Sequence, residues 1–267
     1  MRLMIMKFLA ATVVSVSLSG CVMDSAVTLA SAPLPAPPVV PAADAAHYAA
    51  TADESYTVPA VPVAEVPAEF QRQTVAYPTT EPIGTIVIDP SAKHLYLVTA
   101  PNEALRYGIA VGRAGFGWSG EANITSRTTW PKWIPPYEMI DRRPELEKYR
   151  DVGQPGGLTN PLGARALYLT TNGVDYGYRI HGTPEWASIG HNASSGCIRM
   201  INQDVMDLYN RVPDGTHVVV LNDDGSFPTK LTVPPKPPAK KITPPPPVPV
   251  LVPLVPAIPP SPVYGPF

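Results

Sequence analysis

Cys197 and two histidines, His181 and His191, lie within one stretch, HGTPEWASIGHNASSGCIRM, that runs from His181 to Met200. It holds three ingredients of cysteine acyl transfer: a thiol, an imidazole able to take its proton, and a glycine-bearing turn that exposes backbone amides. A free thiol is barely ionised at neutral pH. A neighbouring imidazole either deprotonates it or forms a thiolate–imidazolium pair, and both raise its nucleophilicity. In Ser194-Ser195-Gly196-Cys197 the missing side chain of Gly196 lets a carbonyl approach, so the amides of Gly196 and Cys197 can hold a developing oxyanion. On an extended segment Arg199 projects to the same face as Cys197 and offers a positive fork to a substrate carboxylate. Spacing alone does not decide which histidine reaches the sulfur. It equally allows His181 as a hydrogen-bonded core residue, His191 on a surface loop and Arg199 in a structural ion pair. Zinc on His181, His191 and Cys197 is possible by ligand type, but a C-x-x-C or a close histidine pair is missing, so neither metal nor cofactor is assigned.

The cysteine count sharpens this. The chain has just two, Cys21 and Cys197. Residues 1–20 carry Arg2 and Lys7 ahead of the apolar run Phe8 to Leu18, a secretory signal too short for a spanning helix, which needs roughly 20 apolar residues. The run ends in Leu18-Ser19-Gly20-Cys21, which resembles the bacterial lipobox whose cysteine is lipidated and becomes the first residue of the mature protein. Lipidation of Cys21 leaves Cys197 without an intramolecular partner in an oxidising compartment, where an unpaired thiol is a liability unless buried or used. Val22 follows Cys21 where an aspartate would signal inner-membrane retention, so the expected location is the periplasm, anchored to the outer membrane.

The elements that must position this chemistry are mostly strands. Gly84 to Asp89 and His94 to Val98 form a hairpin across Pro90-Ser91-Ala92-Lys93. Leu105 to Val111 reads as a strand, as do Ala166 to Thr170 and Tyr176 to Ile180 around the Asn172-Gly173 turn, and His217 to Leu221. Two segments read as helical: Pro144 to Tyr149, and Gln203 to Arg211 with Val205, Leu208 and Tyr209 on one face behind an Asn202 cap. Short strands with turn signals and one or two short helices predict a mainly β fold, a β-sandwich or open barrel. Crossover helices for a parallel α/β sheet are missing.

Proline bounds the domain. Of 36 prolines in 267 residues, 10 fall between Pro33 and Pro82 and 16 between Pro228 and Pro266. Residues 21–82 therefore read as an Ala/Pro-rich disordered linker and 226–267 as a Pro-rich disordered tail. They flank one domain at 83–225, which is ordinary domain size. Lys plus Arg at 20 against Asp plus Glu at 22 leaves no basic field for phosphates, so nucleic acid is excluded as the main partner.

The reactive stretch resembles the signature of L,D-transpeptidases of the YkuD type, written H-G-T, then S-I-G, then S-H-G-C-I-R-M. Its elements here are His181-Gly182-Thr183, Ser188-Ile189-Gly190 and Ser194 through Met200. Resemblance extends through Val111-Gly112-Arg113, Asn160 to Tyr168 and Asn202 to Val220, and so covers Gly84 to Leu221. By position, it implies Cys197 as nucleophile, His181 as general base and the Gly182 carbonyl as the group that orients the ring. The oxyanion amide is expected at Gly196, and substrate contacts at Arg199, Ser194, Ser195 and Trp133. The last lies in Trp130 to Pro136, which resembles the family's cleft-side loop. Ser195 stands where the signature has a second histidine, so neither an extra proton carrier nor an oxyanion contact there is carried over.

The implied reaction is acyl transfer between peptidoglycan stem peptides. A tetrapeptide donor loses its terminal D-Ala, a cysteinyl thioester forms, and a second stem's side-chain amine resolves it as a 3→3 crosslink. An amine of an outer-membrane protein as acceptor would attach that protein to the wall, and water would make the enzyme an L,D-carboxypeptidase. The reading from a different class is a non-catalytic wall-binding lipoprotein.

Overall fold

The computed structural model describes residues 45–112, 118–194, 196–230 and 232, without the side chain of Ser194. The chain divides into Met1–Val39 and Val40–Phe267, and every described residue belongs to the second unit. The signal segment, Cys21 and the tail beyond Thr232 lie outside the described residues.

Composition assigns 21–82 to a disordered linker, and the structure corrects this for residues 45–82. Strands β1 (Thr51–Asp53) and β2 (Tyr56–Val58) form an antiparallel ribbon, and β3 (Gln73–Ala76) pairs with the strand Glu103–Gly108. The physical reason lies in how the prolines alternate with apolar residues. Pro62 and Pro67 stand at the N-caps of two short 3-10 turns, Val63–Glu65 and Ala68–Phe70, with the φ that their rings fix in advance. Around them Tyr48, Val58, Val61 and Val66 are buried, each worth roughly 1.5–3 kcal/mol if fully withdrawn from water.

The next three strands form a meander: β4 (Ile86–Asp89), β5 (His94–Ala100) and β6 (Glu103–Gly108), with Asp89 opposite His94 across the turn. The expected strand Leu105 to Val111 is broken. β6 stops at Gly108, and β7 (Val111–Gly112) pairs elsewhere. β8 (Gly120–Thr129) has Gly120, Ala122 and Ile124 buried in alternation with exposed Glu121 and Asn123. After it come α1 (Tyr137–Arg142) and the segment Pro144–Tyr149, which is a 3-10 turn rather than an α-helix.

β9 (Arg165–Thr170) turns at Asn172-Gly173, both with positive φ, and returns as β10 (Arg179–Thr183), later than the expected start at Tyr176. β11 (Asn192–Ser194) and β12 (Ile198–Ile201) precede α2 (Asn202–Arg211), whose Val205 and Leu208 are buried. β13 (His217–Val220) completes the set. Thr232, inside the expected tail, pairs with Ser119 through bonds of 2.9 and 3.3 Å.

Nine strands form one sheet in the order β12-β10-β9-β8-β13-β4-β5-β6-β3, with β7 and β11 as a separate pair. Only β10–β12 and β13–β4 are parallel in the large sheet. Ala110, just past β6, exchanges two backbone hydrogen bonds of 2.9 and 2.8 Å with Arg199 on the far edge. The sheet therefore curls so that its two ends meet. One core holds Leu95 and Tyr107 from one end, Ile180, Ile198 and Met200 from the other, and Val205 and Leu208 of α2. The fold is mainly β, with a large sheet and few short helices.

Candidate active site

The register of one parallel strand pair builds the site. His181 of β10 stands opposite Arg199 of β12, and Ile180 opposite Ile198. Side chains alternate along a strand, so fully buried Ile180, Ile198 and Met200 assign one face to the core. Arg179, His181 and Arg199 take the other face. Cys197 directly precedes β12, and the charges of Arg179 and Arg199 act on both its thiol and the His181 imidazole.

The imidazole is held in one tautomer. His181 Nδ1 lies 2.6 Å from the Gly182 carbonyl, which can only accept, so Nδ1 carries the proton and Nε2 presents a lone pair. The ring is buried, and burial drives its pKa down from 6.5 to about 4, helped by the charges of Arg199 and Arg179 and opposed by the Gly182 carbonyl. Burial likewise pushes the Cys197 thiol up. The Arg179 backbone N–H and the two arginine charges pull it back, and Asp175 pushes it up. Half-buried Cys197 donates through Sγ to the Gly177 carbonyl at 3.7 Å. Burial thus disfavours the charged form of both groups.

The backbone behind His181 is close-packed. A Cβ on Gly182 would come 2.3 Å from Asn202 Oδ1, and one on Gly163 would come 2.2 Å from the same atom. Asn202 is therefore not the expected cap. It is the first residue of α2, Ile201 takes the cap position, and Asn202 Oδ1 accepts the Ala164 N–H at 3.0 Å. Gly196, ahead of the thiol, has a φ of +129°, a backbone state open to glycine.

The remaining expected residues fare differently. Arg199 is held by Glu185 at 3.2 Å, and its buried Nε has no hydrogen-bond partner among the described residues. Trp133 is partly buried and exchanges backbone hydrogen bonds of 2.9 and 2.7 Å with Gln154, closing the base of its loop. His191 is exposed, and its carbonyl takes the Val111 N–H at 3.3 Å. Ser195, the Ser194 side chain and Cys21 lie outside the described residues.

Three residues that the sequence reading passed over border the sulfur. Asp175 accepts the Gly177 N–H at 2.7 Å and pairs in a two-pronged fashion with Arg179 at 2.7 and 2.8 Å. The Arg179 guanidinium lies 4.5 Å from the Tyr168 ring centre. An Asp-x-Gly-x-Arg turn just before the motif was the available signal.

The family model of the L,D-transpeptidase catalytic domain, YkuD, matches residues 83–220. The chain belongs to this family. Among curated relatives of this L,D-transpeptidase family member is "Probable L,D-transpeptidase YbiS" of Escherichia coli, 28% identical over 173 residues, or 61% of this chain and 51% of that protein. "Probable L,D-transpeptidase YcfS" of the same organism is 30% identical over 141 residues, 51% of this chain and 43% of that protein. The chain thus spans about half the length of these relatives. A Brucella melitensis crystal structure titled "Probable carnitine operon oxidoreductase caia" is 50% identical, covering 58% of this chain and 96% of that one with a TM-score of 0.41.

Proposed function

We propose that this L,D-transpeptidase domain transfers acyl groups between peptidoglycan stem peptides through a thioester on Cys197. The observation that carries the reading is the His181 ring, fixed at Nδ1 by Gly182 and sharing the fields of Arg179 and Arg199 with the Cys197 thiol. As Sγ attacks the carbonyl between the diamino acid and the terminal D-Ala, His181 Nε2 takes the thiol proton. The oxyanion is met by the backbone amides of Gly196 and Cys197. An imidazole whose pKa lies near 4 becomes a strong acid once protonated, suited to pass its proton to the departing D-Ala amine. The C–N bond breaks, D-Ala leaves and the thioester remains. A second stem's amine then attacks the thioester, gives its proton to His181 and restores the thiol.

The export signal and the lipobox-like Leu18-Ser19-Gly20-Cys21 support a lipid-anchored periplasmic enzyme. An outer-membrane protein as amine donor fits the same chemistry. Mass spectrometry of purified tetrapeptide muropeptides incubated with the full chain tests the reading. Crosslinked dimers and free D-Ala are expected. Tripeptides without dimers would assign the enzyme to hydrolysis, and unchanged substrate would refute catalysis on these stems.

A further inference from the structure

The family match begins at residue 83, yet residues ahead of it pack against the loop that joins the base to the nucleophile. Residues 184–194 connect β10, which carries His181, to the segment that carries Cys197. From this loop Trp186, Ile189 and Ala193 cluster with Tyr48, Val66 and Phe70 of the N-terminal segment. The contact with Phe70 is close. A Cβ on Gly190 would lie 2.4 Å from the Phe70 ring edge, and Gly190 has a φ of +85°. The Gly190 N–H donates to the Ile109 carbonyl at 3.0 Å, so ring and hydrogen bond fix the loop from two sides.

The N-terminal segment is itself tied to α2, directly after β12. His47 Nε2 meets fully buried Asp204 Oδ1 at 2.8 Å. The Tyr48 hydroxyl accepts the Arg72 N–H at 2.7 Å and donates to Asp204 Oδ2 at 3.4 Å. Gln203 donates to the carbonyls of Pro59 at 2.8 Å and Ala49 at 3.3 Å. These bonds anchor the segment from which Phe70 reaches the loop.

We propose that residues 45–72 are a strap that sets the position of the 184–194 loop beside Cys197 and His181, with Phe70 as its principal positioning residue. The coupling runs through Glu185 at the loop's start, which holds Arg199, the direct neighbour of His181 in the strand pair. Displacing the loop moves Glu185, frees the guanidinium and changes the field on both reactive groups. The proposal deepens the acyl-transfer reading and rests on it.

The test uses the full chain with Phe70→Ala, Phe70→Leu and, as an unrelated destabilising control, Arg127→Met, which removes bonds from β8 to Asp214 and to the Tyr209 and Val212 carbonyls, all well below their melting temperatures. Two rates are followed by peptide mapping: acylation of Cys197 by a carbapenem, and alkylation of Cys197 by iodoacetamide as a function of pH. In Phe70→Ala, acylation is expected to fall at least about tenfold and the alkylation midpoint to move by roughly half a pH unit or more. Phe70→Leu should recover most of both, and Arg127→Met should change neither. Wild-type rates and midpoint in Phe70→Ala, whatever its melting temperature, would overturn the proposal. If the wild type is alkylated but never acylated, the transferase reading fails, and the strap is still decided by whether the midpoint moves.

Discussion

Asn202 presses its Oδ1 against Gly182 so closely that a single added methyl would collide with it at 2.3 Å. The same oxygen takes the Ala164 N–H just ahead of β9, so the start of α2 is bolted to the strand next to the one that carries the base. Gly182 in turn accepts the Nδ1 proton of His181. An amide in α2 thus sets the backbone that sets the ring.

Gly182→Ala is therefore expected to cost about 1–3 kcal/mol of stability through overpacking. It should also slow Cys197 acylation, because the carbonyl that fixes the tautomer must shift. Asn202→Ala relieves the crowding but strands the buried Ala164 N–H, at a cost of about 1–3 kcal/mol. Chemical denaturation of the two variants measures both costs.

His181→Ala should lower carbapenem acylation of Cys197 by about 10²–10⁴-fold, the usual worth of a positioned general base. His191→Ala should leave it within about twofold, since that residue is exposed and held only through its backbone. Intact-mass time courses distinguish the two. A larger loss in His191→Ala would assign the base to the wrong histidine.

Stability should respond to the buried imidazole. The unfolded chain takes up a proton at His181 near pH 6.5, whereas the folded chain resists until about pH 4. Between those values the unfolded state binds more protons, so stability falls as pH drops through that window and levels below it. At about 1.4 kcal/mol per unit, the loss is on the order of 3 kcal/mol. Urea titrations from pH 7 to pH 4 measure the slope, and His181→Gln should flatten it in proportion.

The β1 ribbon is fastened to the domain by Asp53 and Arg165, a two-pronged pair with both N–O distances at 2.7 Å and little exposure on either side chain. Asp53→Asn leaves the Arg165 charge uncompensated and should destabilise by about 3 kcal/mol. The partner guanidinium holds the Asp53 carboxyl below the usual 3.8, so this contribution is present above that value and lost as pH falls through the lower folded pKa. Thermal melts at pH 7 and pH 3 measure both effects.

The candidate thiol and imidazole can be picked out from sequence because their signals are local. A thiol, an arginine two residues on and a His-Gly-Thr tripeptide keep their meaning once placed on extended strands. The strap was hidden by averaging: proline across residues 21–82 reads as disorder, while Tyr48, Val61, Val66 and Phe70 are too widely spaced to show a period. β8 escaped because its inward positions begin with Gly120 and Ala122, which carry no β-branched signal. Asn202 has a strong local reason to cap a helix, but its tertiary partner Ala164 took the oxygen instead. Asp175 and Arg179 were passed over because their Asp-x-Gly-x-Arg turn overlaps a stretch read only as a strand.

The central claim is that Cys197, served by His181, carries the acyl group of a stem peptide. The most direct measurement is the intact mass of the full chain, with peptide mapping, after rapid quenching of a reaction with tetrapeptide muropeptide. The expected result is a tripeptide-stem thioester on Cys197 with one D-Ala released per adduct, absent in Cys197→Ala and strongly reduced in His181→Ala. D-Ala release that persists in Cys197→Ala, or an acyl group carried by any other residue, would contradict it.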